Sequence, residues 1–262
     1  MEKLVGYPYE YCMFPNVNRL VNRRNGTVIG AWLDTFQAWL LPPLCLLCGE
    51  AGADSRDLCT DCAADLPPND RACPGCATPL ATGQVGWCGA CLSCPRKFDR
   101  AYVPFRYRPP LDHLIRGLKF DGRLSHARLL GDLFADRLAL RGEPWPDYIV
   151  PVPLHPQRLR ERGFNQALEL ARAAAQRFRI PLATEGLRRI RRTTPQIQLD
   201  ARQRRTNLLG AFAPGRLPTG SRVAIMDDVI TTASTVAECA QILRASGATD
   251  IEVWAIARAI DD

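Results

Sequence analysis

Two adjacent carboxylates followed by a hydroxyl-rich turn make RVAIMDDVITTAST, from Arg222 to Thr235, the stretch of the chain best suited to chemistry. The apolar run Val223 to Met226 fits a fully buried strand, although periodicity alone does not separate that from buried helix. Asp227 and Asp228 stand at its end, and after Val229 and Ile230 come Thr231, Thr232, Ala233, Ser234 and Thr235. A helical pattern then runs from Val236 to about Leu243, with Gly247 just beyond as its stop. The backbone N–H groups of such a turn, backed by a helix N-terminus, can hold a phosphate. Carboxylates at a strand end can hold vicinal sugar hydroxyls or a divalent metal. A ligand carrying both a ribose and a phosphate answers both requirements. The plain alternative is an ordinary α/β strand end with a polar turn.

Thiols form the second constellation. Cys45 and Cys48, Cys59 and Cys62, Cys73 and Cys76, and Cys88 and Cys91 are four CxxC pairs spaced as zinc knuckles. The chain lacks a charged start followed by an apolar core and cleavage site, so the disulfide reading is the weaker one. Sequential pairing would join Cys45, Cys48, Cys59 and Cys62 in one site, and Cys73, Cys76, Cys88 and Cys91 in the other. Cys94 forms a further CxxC with Cys91 and could replace a ligand. Four thiolates close each site to water, which points to structural zinc that supplies the folding energy of a small unit. Cys12 and Cys239 read as a loop thiol and a buried helix residue.

The elements that must position these groups follow from pattern. The 262 residues allow one large domain plus a small one. Residues 1–29 show no clear period and read as a disordered or weakly docked extension. Trp32, Leu33, Phe36, Trp39 and Leu40 sit at helical spacing before Pro42, so a helix and the cysteine-rich unit fill residues 30–96. From 97 to 262 the pattern is α/β. Strands are expected at Ala101–Tyr107, Tyr148–Pro153 and Leu187–Arg192. Helices are expected at Leu111–Phe120, Ala127–Leu140 and Gln166–Phe178. Arg116 and Lys119 lie on the first of these helices, either as a solvated face or as a basic wall near a phosphate. His113 and His126 lack metal-ligand spacing and read as structural.

Charge is distributed unevenly. The formal charge is +7, which falls to about +3 if eight cysteines bind two zinc ions as thiolates. Between Pro156 and Arg205 there are thirteen arginines and four acids, a local balance of +9. Arg158, Arg160 and Arg162 crowd what reads as a loop after a strand, where parallel α/β sheets bind ligands, and guanidinium suits a pyrophosphate. Residues 191–207 are long, polar and basic, consistent with a mobile loop over a ligand. No apolar run approaches the ~20 residues that span a bilayer, and a cytoplasmic protein is expected. There is no P-loop, HExxH or dinucleotide glycine fingerprint, which weakens ATPase, metalloprotease and dehydrogenase readings.

The acidic pair with TTAST resembles the phosphoribosyl pyrophosphate (PRPP) motif of type I phosphoribosyltransferases. One departure is Ala233, where that family usually has a glycine. PVPLHPQRLRERGFNQA, then TPQIQLDARQRRTNLLGAF, then the acidic pair, occur in the order seen in the ComF/GntX family, behind a cysteine-rich ribbon as here. That resemblance covers about residues 40–260. It implies a double zinc ribbon ahead of an α/β, type I phosphoribosyltransferase-like parallel sheet flanked by helices. By motif, Asp227 and Asp228 would face the ribose hydroxyls, and Thr231, Thr232, Ala233, Ser234 and Thr235 would cradle the 5-phosphate. Arg158 and Arg162 would lie in the pyrophosphate segment. Thr194, Gln196, Arg202 and Asn207 would lie in a closing loop with Arg192 at its base, and Asp227, Asp228 and Arg192 would be the catalytic set. The resemblance further implies a cytosolic role in natural transformation, with single-stranded DNA and DNA-uptake or recombination proteins as partners. Two readings remain open. One is a binding module for PRPP or a related phosphorylated ribose that handles single-stranded DNA. The other is an active, magnesium-dependent phosphoribosyltransferase acting on an unidentified nitrogen nucleophile.

Overall fold

The computed structural model describes residues 43–192 and 208–260. The expected helix before Pro42, and Cys12, lie outside the described residues, as do Thr194, Gln196, Arg202 and Asn207. Residues Leu44–Asp262 form one compact unit. Its centre is a parallel sheet of β1 (Arg100–Tyr102), β2 (Phe105–Arg106), β3 (Tyr148–Pro151), β6 (Arg222–Ile230) and β7 (Asp250–Arg258). The order is β1–β7–β6–β3, with β2 also paired to β7. A two-stranded antiparallel ribbon, β4 (Leu187–Arg189) with β5 (Phe212–Pro214), stands apart from it.

Both faces of the sheet are covered, which explains why β6 reads as a continuous apolar run and not an alternating one. On one face Ala224 and Met226 join Trp254 and Ile256 against α3 (Leu111–Asp121), α4 (Leu124–Arg141) and α6 (Gln166–Phe178). On the other, Val223 and Ile225 join Val253 and Ala255 against α7 (Ser234–Ala245). Helix α3 buries Leu111, Leu114, Ile115 and Leu118 at i, i+3, i+4 and i+7, the apolar stripe of a surface helix. His126 is buried as a structural residue, its Nδ1 2.9 Å from the carbonyl of Leu114. Cys239 is fully buried in α7.

Three local expectations need correction. The arginine-rich stretch after β3 is a helix, α5 (Pro156–Arg162), not a loop. His155 caps it by accepting from Gln157 N–H, Pro156 opens it and Gly163 closes it at φ 84°. The strand carrying the acidic pair continues past it to Ile230, because β7 supplies partners as far as Ile230↔Arg258. The strand expected at 101–107 is two short pieces, β1 and β2, both bonded to β7.

Ahead of the sheet lie the two cysteine tetrads, with the short helices α1 (Thr60–Ala64) and α2 (Gly89–Ser93). Cys45, Cys48, Cys59 and Cys62 form one tetrad, and Cys73, Cys76, Cys88 and Cys91 the other, as sequential pairing requires. Within each tetrad the sulfurs lie within 4.8 Å of one another. Cys48 and Cys59 sulfurs are 3.6 Å apart, as are those of Cys76 and Cys88. Tetrahedral Zn–S bonds of about 2.3 Å put sulfurs about 3.8 Å apart, so the geometry fits zinc. Cys94 is exposed and belongs to neither tetrad. The ribbon is not a detachable appendage, since Cys45, Leu58 and Leu66 share a hydrophobic cluster with Leu114, Leu130 and Phe134. The side-chain amide of Asn69 donates to both Ala77 O and Val103 O, tying the second knuckle to the β1–β2 turn.

Purified protein should carry two zinc ions per chain. Cys45→Ser should reduce this to about one and also lower the melting temperature of the sheet, because that thiol belongs to the shared core. Metal analysis alongside a thermal melt checks both. A variant melting like the wild type would show that ribbon and sheet fold independently.

Candidate functional site

The acidic pair sits inside a strand buried on both faces, so alternation sends its two side chains opposite ways. Asp228 points to the α3 side with Ala224 and Met226, and is 4% exposed. There Lys119 Nζ lies 2.8 Å from Asp228 Oδ2. Burial works against the Lys119 ammonium, but the Asp228 carboxylate outweighs it and holds the lysine above its ordinary range. Lys119 is thus the counter-ion of Asp228, while Arg116 on the same helix is exposed.

Asp227 points to the other side and remains half-buried in the cleft. Its Oδ1 accepts the backbone N–H of Asp228 at 2.9 Å. Burial, with the neighbouring Asp228 charge, pushes its carboxyl up to about 7. Across from it is Arg189 of β4, whose guanidinium stacks over Phe212 of β5 with 5.2 Å to the ring centroid. Burial depresses the Arg189 guanidinium, while Asp227 opposes that.

A cleft of about 340 Å³ opens over these groups at the carboxyl ends of β3 and β6. Asp227, Asp228, Thr231, Ala233, Ser234 and Thr235 line it, together with Arg158, Arg162 and Arg192. Thr232 does not line it; its hydroxyl lies 2.8 Å from Ser234 Oγ, within the turn. Gln196, Arg202 and Asn207 lie outside the described residues. Arg158 and Arg162 are one helical turn apart on α5, so both reach the cleft while Arg160 between them is exposed. Arg162 Nη1 donates to Gln166 Oε1 at 2.6 Å, and Arg192 Nη1 to Gln157 Oε1 at 3.0 Å.

Helix α7 begins at Ser234, two residues earlier than its apolar pattern, which brings its first turn to the cleft. The residue before it, Ala233, has φ +62° and ψ +10°. That is the left-handed region, where a Cβ costs ~1 kcal/mol and glycine costs little. The turn therefore has the shape for which a glycine is suited, built with an alanine.

Sequence reasoning missed Arg189, His155 and Arg258. The signal for Arg189 was available, since it alternates with Leu187 on the inner face of a strand, where an arginine needs a reason. His155 lines the cleft besides capping α5. Arg258 ends β7 in an otherwise apolar run, and is buried beneath the hydroxyl turn.

The sheet, its flanking helices and a cleft joining an acidic pair to a hydroxyl turn define a phosphoribosyltransferase-like α/β protein headed by a cysteine-rich ribbon. A family model described as the double zinc ribbon domain matches residues 36–92. The DNA utilization protein YhgH of Salmonella typhi is 36% identical over 225 residues, covering 84% of this chain and 99% of that protein. Competence protein F of Haemophilus influenzae is 33% identical over 224 residues, covering 82% and 96%. The purine phosphoribosyltransferase of Pyrococcus horikoshii overlays 52% of this chain and 86% of that one, at 18% identity and a TM-score of 0.30, an overlap too low to add to the topology. By its relatives the chain belongs to the ComF/GntX family.

The Asp227 carboxyl yields a pH signature. Between about pH 4 and pH 7 the folded chain keeps a proton that the unfolded chain has lost. Stability from this group therefore falls as pH rises across that window, and is flat above it. Asp227→Asn retains an acceptor for Asp228 N–H and removes the charge. It should melt like the wild type near pH 4 and at higher temperature above pH 7. A difference in melting temperature that does not change with pH would contradict the buried-carboxyl assignment.

Proposed function

We propose that this protein binds PRPP or a related phosphorylated ribose in the cleft and assists cytosolic handling of single-stranded DNA in natural transformation. The observation that carries the first half is convergence. The acidic pair with its hydroxyl turn, Arg158 and Arg162 of α5, and Arg189 of β4 come from three separated segments and meet around one space. Thr231, Ser234 and Thr235 with the start of α7 suit a 5-phosphate. Asp227 suits the ribose hydroxyls, and the arginines suit a pyrophosphate. Magnesium fits beside Asp227, where a cation would relieve the cost of an ionised buried carboxylate. Asp228 has a different task, because Lys119 already neutralises it.

The second half rests on relatives whose names refer to DNA utilization and competence, and on the arginines that face outward. Arg160, Arg188 and Arg191 are exposed and do not line the cleft. No helix among the described residues is long and apolar enough to cross a membrane.

In the competing reading the cleft catalyses pentosyl transfer to a nitrogen nucleophile, with pyrophosphate leaving between Arg158 and Arg162. The alanine at position 233 favours binding over turnover, since it stiffens the phosphate turn in a strained shape. Pyrophosphate release across a panel of nucleobases separates the two readings.

Calorimetry with PRPP and magnesium should show binding that Asp227→Asn weakens by at least ~10-fold, the scale of a lost charge-assisted contact. Ala233→Gly should tighten it. Asp228→Asn should instead lower stability by stranding Lys119, so it is not the variant with which to test the ligand. Unchanged PRPP affinity in Asp227→Asn refutes the site.

Binding to single-stranded DNA should be sequence-tolerant, with each lost phosphate contact reducing the salt slope by roughly 0.7. Replacing Arg160, Arg188 and Arg191 with Gln should flatten that slope. PRPP should leave bound DNA in place if the outward arginines form a separate track, and displace it if the two share the cleft.

A further inference from the structure

The hydroxyl turn is held from behind by Arg258, at the end of β7. Its Nη1 donates to the carbonyl of Ile230 at 2.9 Å and of Ala259 at 2.7 Å, and also to the carbonyl of Thr231. Its Nη2 reaches outward to Thr78 Oγ1 at 3.1 Å. Arg258 is only 9% exposed. Two of the carbonyls it grips belong to consecutive peptides entering the turn. In a trans peptide the N–H points away from the C=O. Pinning the carbonyls of Ile230 and Thr231 onto the guanidinium therefore turns the N–H groups of Thr231 and Thr232 away from it.

Thr78 belongs to the second cysteine knuckle. Its Oγ1 lies 3.2 Å from Cys76 Sγ, and its carbonyl accepts the N–H of Cys73 at 2.9 Å. A hydroxyl has one donor and two acceptor lone pairs. Once Cys76 is a zinc-bound thiolate, the Thr78 hydroxyl must donate to the sulfur, which leaves its lone pairs to accept from Arg258. Both valences of the threonine are then fixed. The knuckle itself cannot drift. Asn69 clamps it through Ala77 O at 3.0 Å, and Pro74 O accepts Ala101 N–H at 3.0 Å. A connected path of hydrogen bonds runs from a zinc ligand, through Thr78 and Arg258, to the backbone of the turn.

We propose that Arg258 is a positioning residue for the anion-binding turn, and that Thr78 ties its setting to the second zinc site, so that the ribbon preorganises the ligand cleft. This rests on reading the turn as a phosphate cradle, but the bracing itself is measurable without any ligand. It also gives the ribbon a task in the cleft that does not require a ribbon residue to touch the ligand.

The test uses the full zinc-loaded chain. Thr78→Val keeps the shape and removes both hydrogen bonds, Thr78→Ser restores them, and Arg258→Lys keeps the charge without the fork. Hydrogen exchange of the amides from 230 to 235 should accelerate in Thr78→Val and Arg258→Lys, and return toward wild type in Thr78→Ser, with zinc content at two throughout. Affinity for ribose 5-phosphate should fall in the same two variants by roughly 3- to 10-fold, the scale of one hydrogen bond, and recover in Thr78→Ser. If the wild type does not bind ribose 5-phosphate, the cradle reading fails while the exchange data still decide the brace. Exchange at 230–235 indistinguishable from wild type in both Thr78→Val and Arg258→Lys overturns the proposal. So does acceleration spread evenly over the chain, which would mark a general loss of stability.

Discussion

Two neighbouring carboxylates in a strand buried on both faces are the constraint on which the rest of this structure turns. A buried, unpaired carboxylate is costly, and alternation puts only one of the two within ion-pair distance of Lys119. The chain answers the two separately. Asp228 receives Lys119 from α3, which fixes the approach of that helix to the sheet. Asp227 receives an open cleft, walled by Arg189, in which its charge is left uncompensated enough to keep its carboxyl near neutrality. One acid is neutralised within the fold and the other faces the cleft. A site held in a destabilised state of this kind is what a stability optimum would remove.

The ribbon follows from a second shortage. Residues 44–96 have little apolar surface of their own, and metal closure replaces a core. The first tetrad leans on the cluster around α3 and α4, while the second has a small cluster of its own around Cys73, Cys76 and Cys91. The second is held by Ala77 in the cluster on the α7 side of the sheet and by hydrogen bonds through Asn69, Pro74 and Thr78. Directional bonds transmit position better than apolar contact does, because they specify orientation as well as distance.

Legibility in the sequence followed the same physics. The tetrads were readable because zinc imposes a spacing, and the central strand because burial on both faces leaves an unbroken apolar run. The turn after β6 was readable through its hydroxyls, and the left-handed position at its end falls on Ala233. What stayed hidden was every pairing between distant residues. Nothing near Lys119 announces Asp228, more than one hundred positions on, and nothing near Thr78 announces Arg258. Such pairs are set by strand order, which local pattern does not encode. The strand limits failed for the same reason: β6 extends past its acids only because β7 lies alongside to bond them.

The helix at 156–162 reorganises the meaning of the basic half. Read as a loop, Arg158, Arg160 and Arg162 are one undivided cluster, and a small phosphate ligand competes with a polynucleotide for all of them. Wound as a helix, they separate by 100° per residue. Arg158 and Arg162 fall on one face and join Arg189 at the cleft, while Arg160 faces solvent on the side that carries the exposed charge of the segment. The same division repeats on β4, where alternation turns Arg189 inward and Arg188 outward. Two secondary-structure periods thus sort one run of like charge into an inner set and an outer set. Burial at the cleft depresses the guanidinium of both Arg162 and Arg189, and the neighbouring Arg158 charge adds to it. The inner set is enclosed around about 340 Å³, and the outer set lies on an open surface. One run of arginines thus meets two environments of different size through different residues.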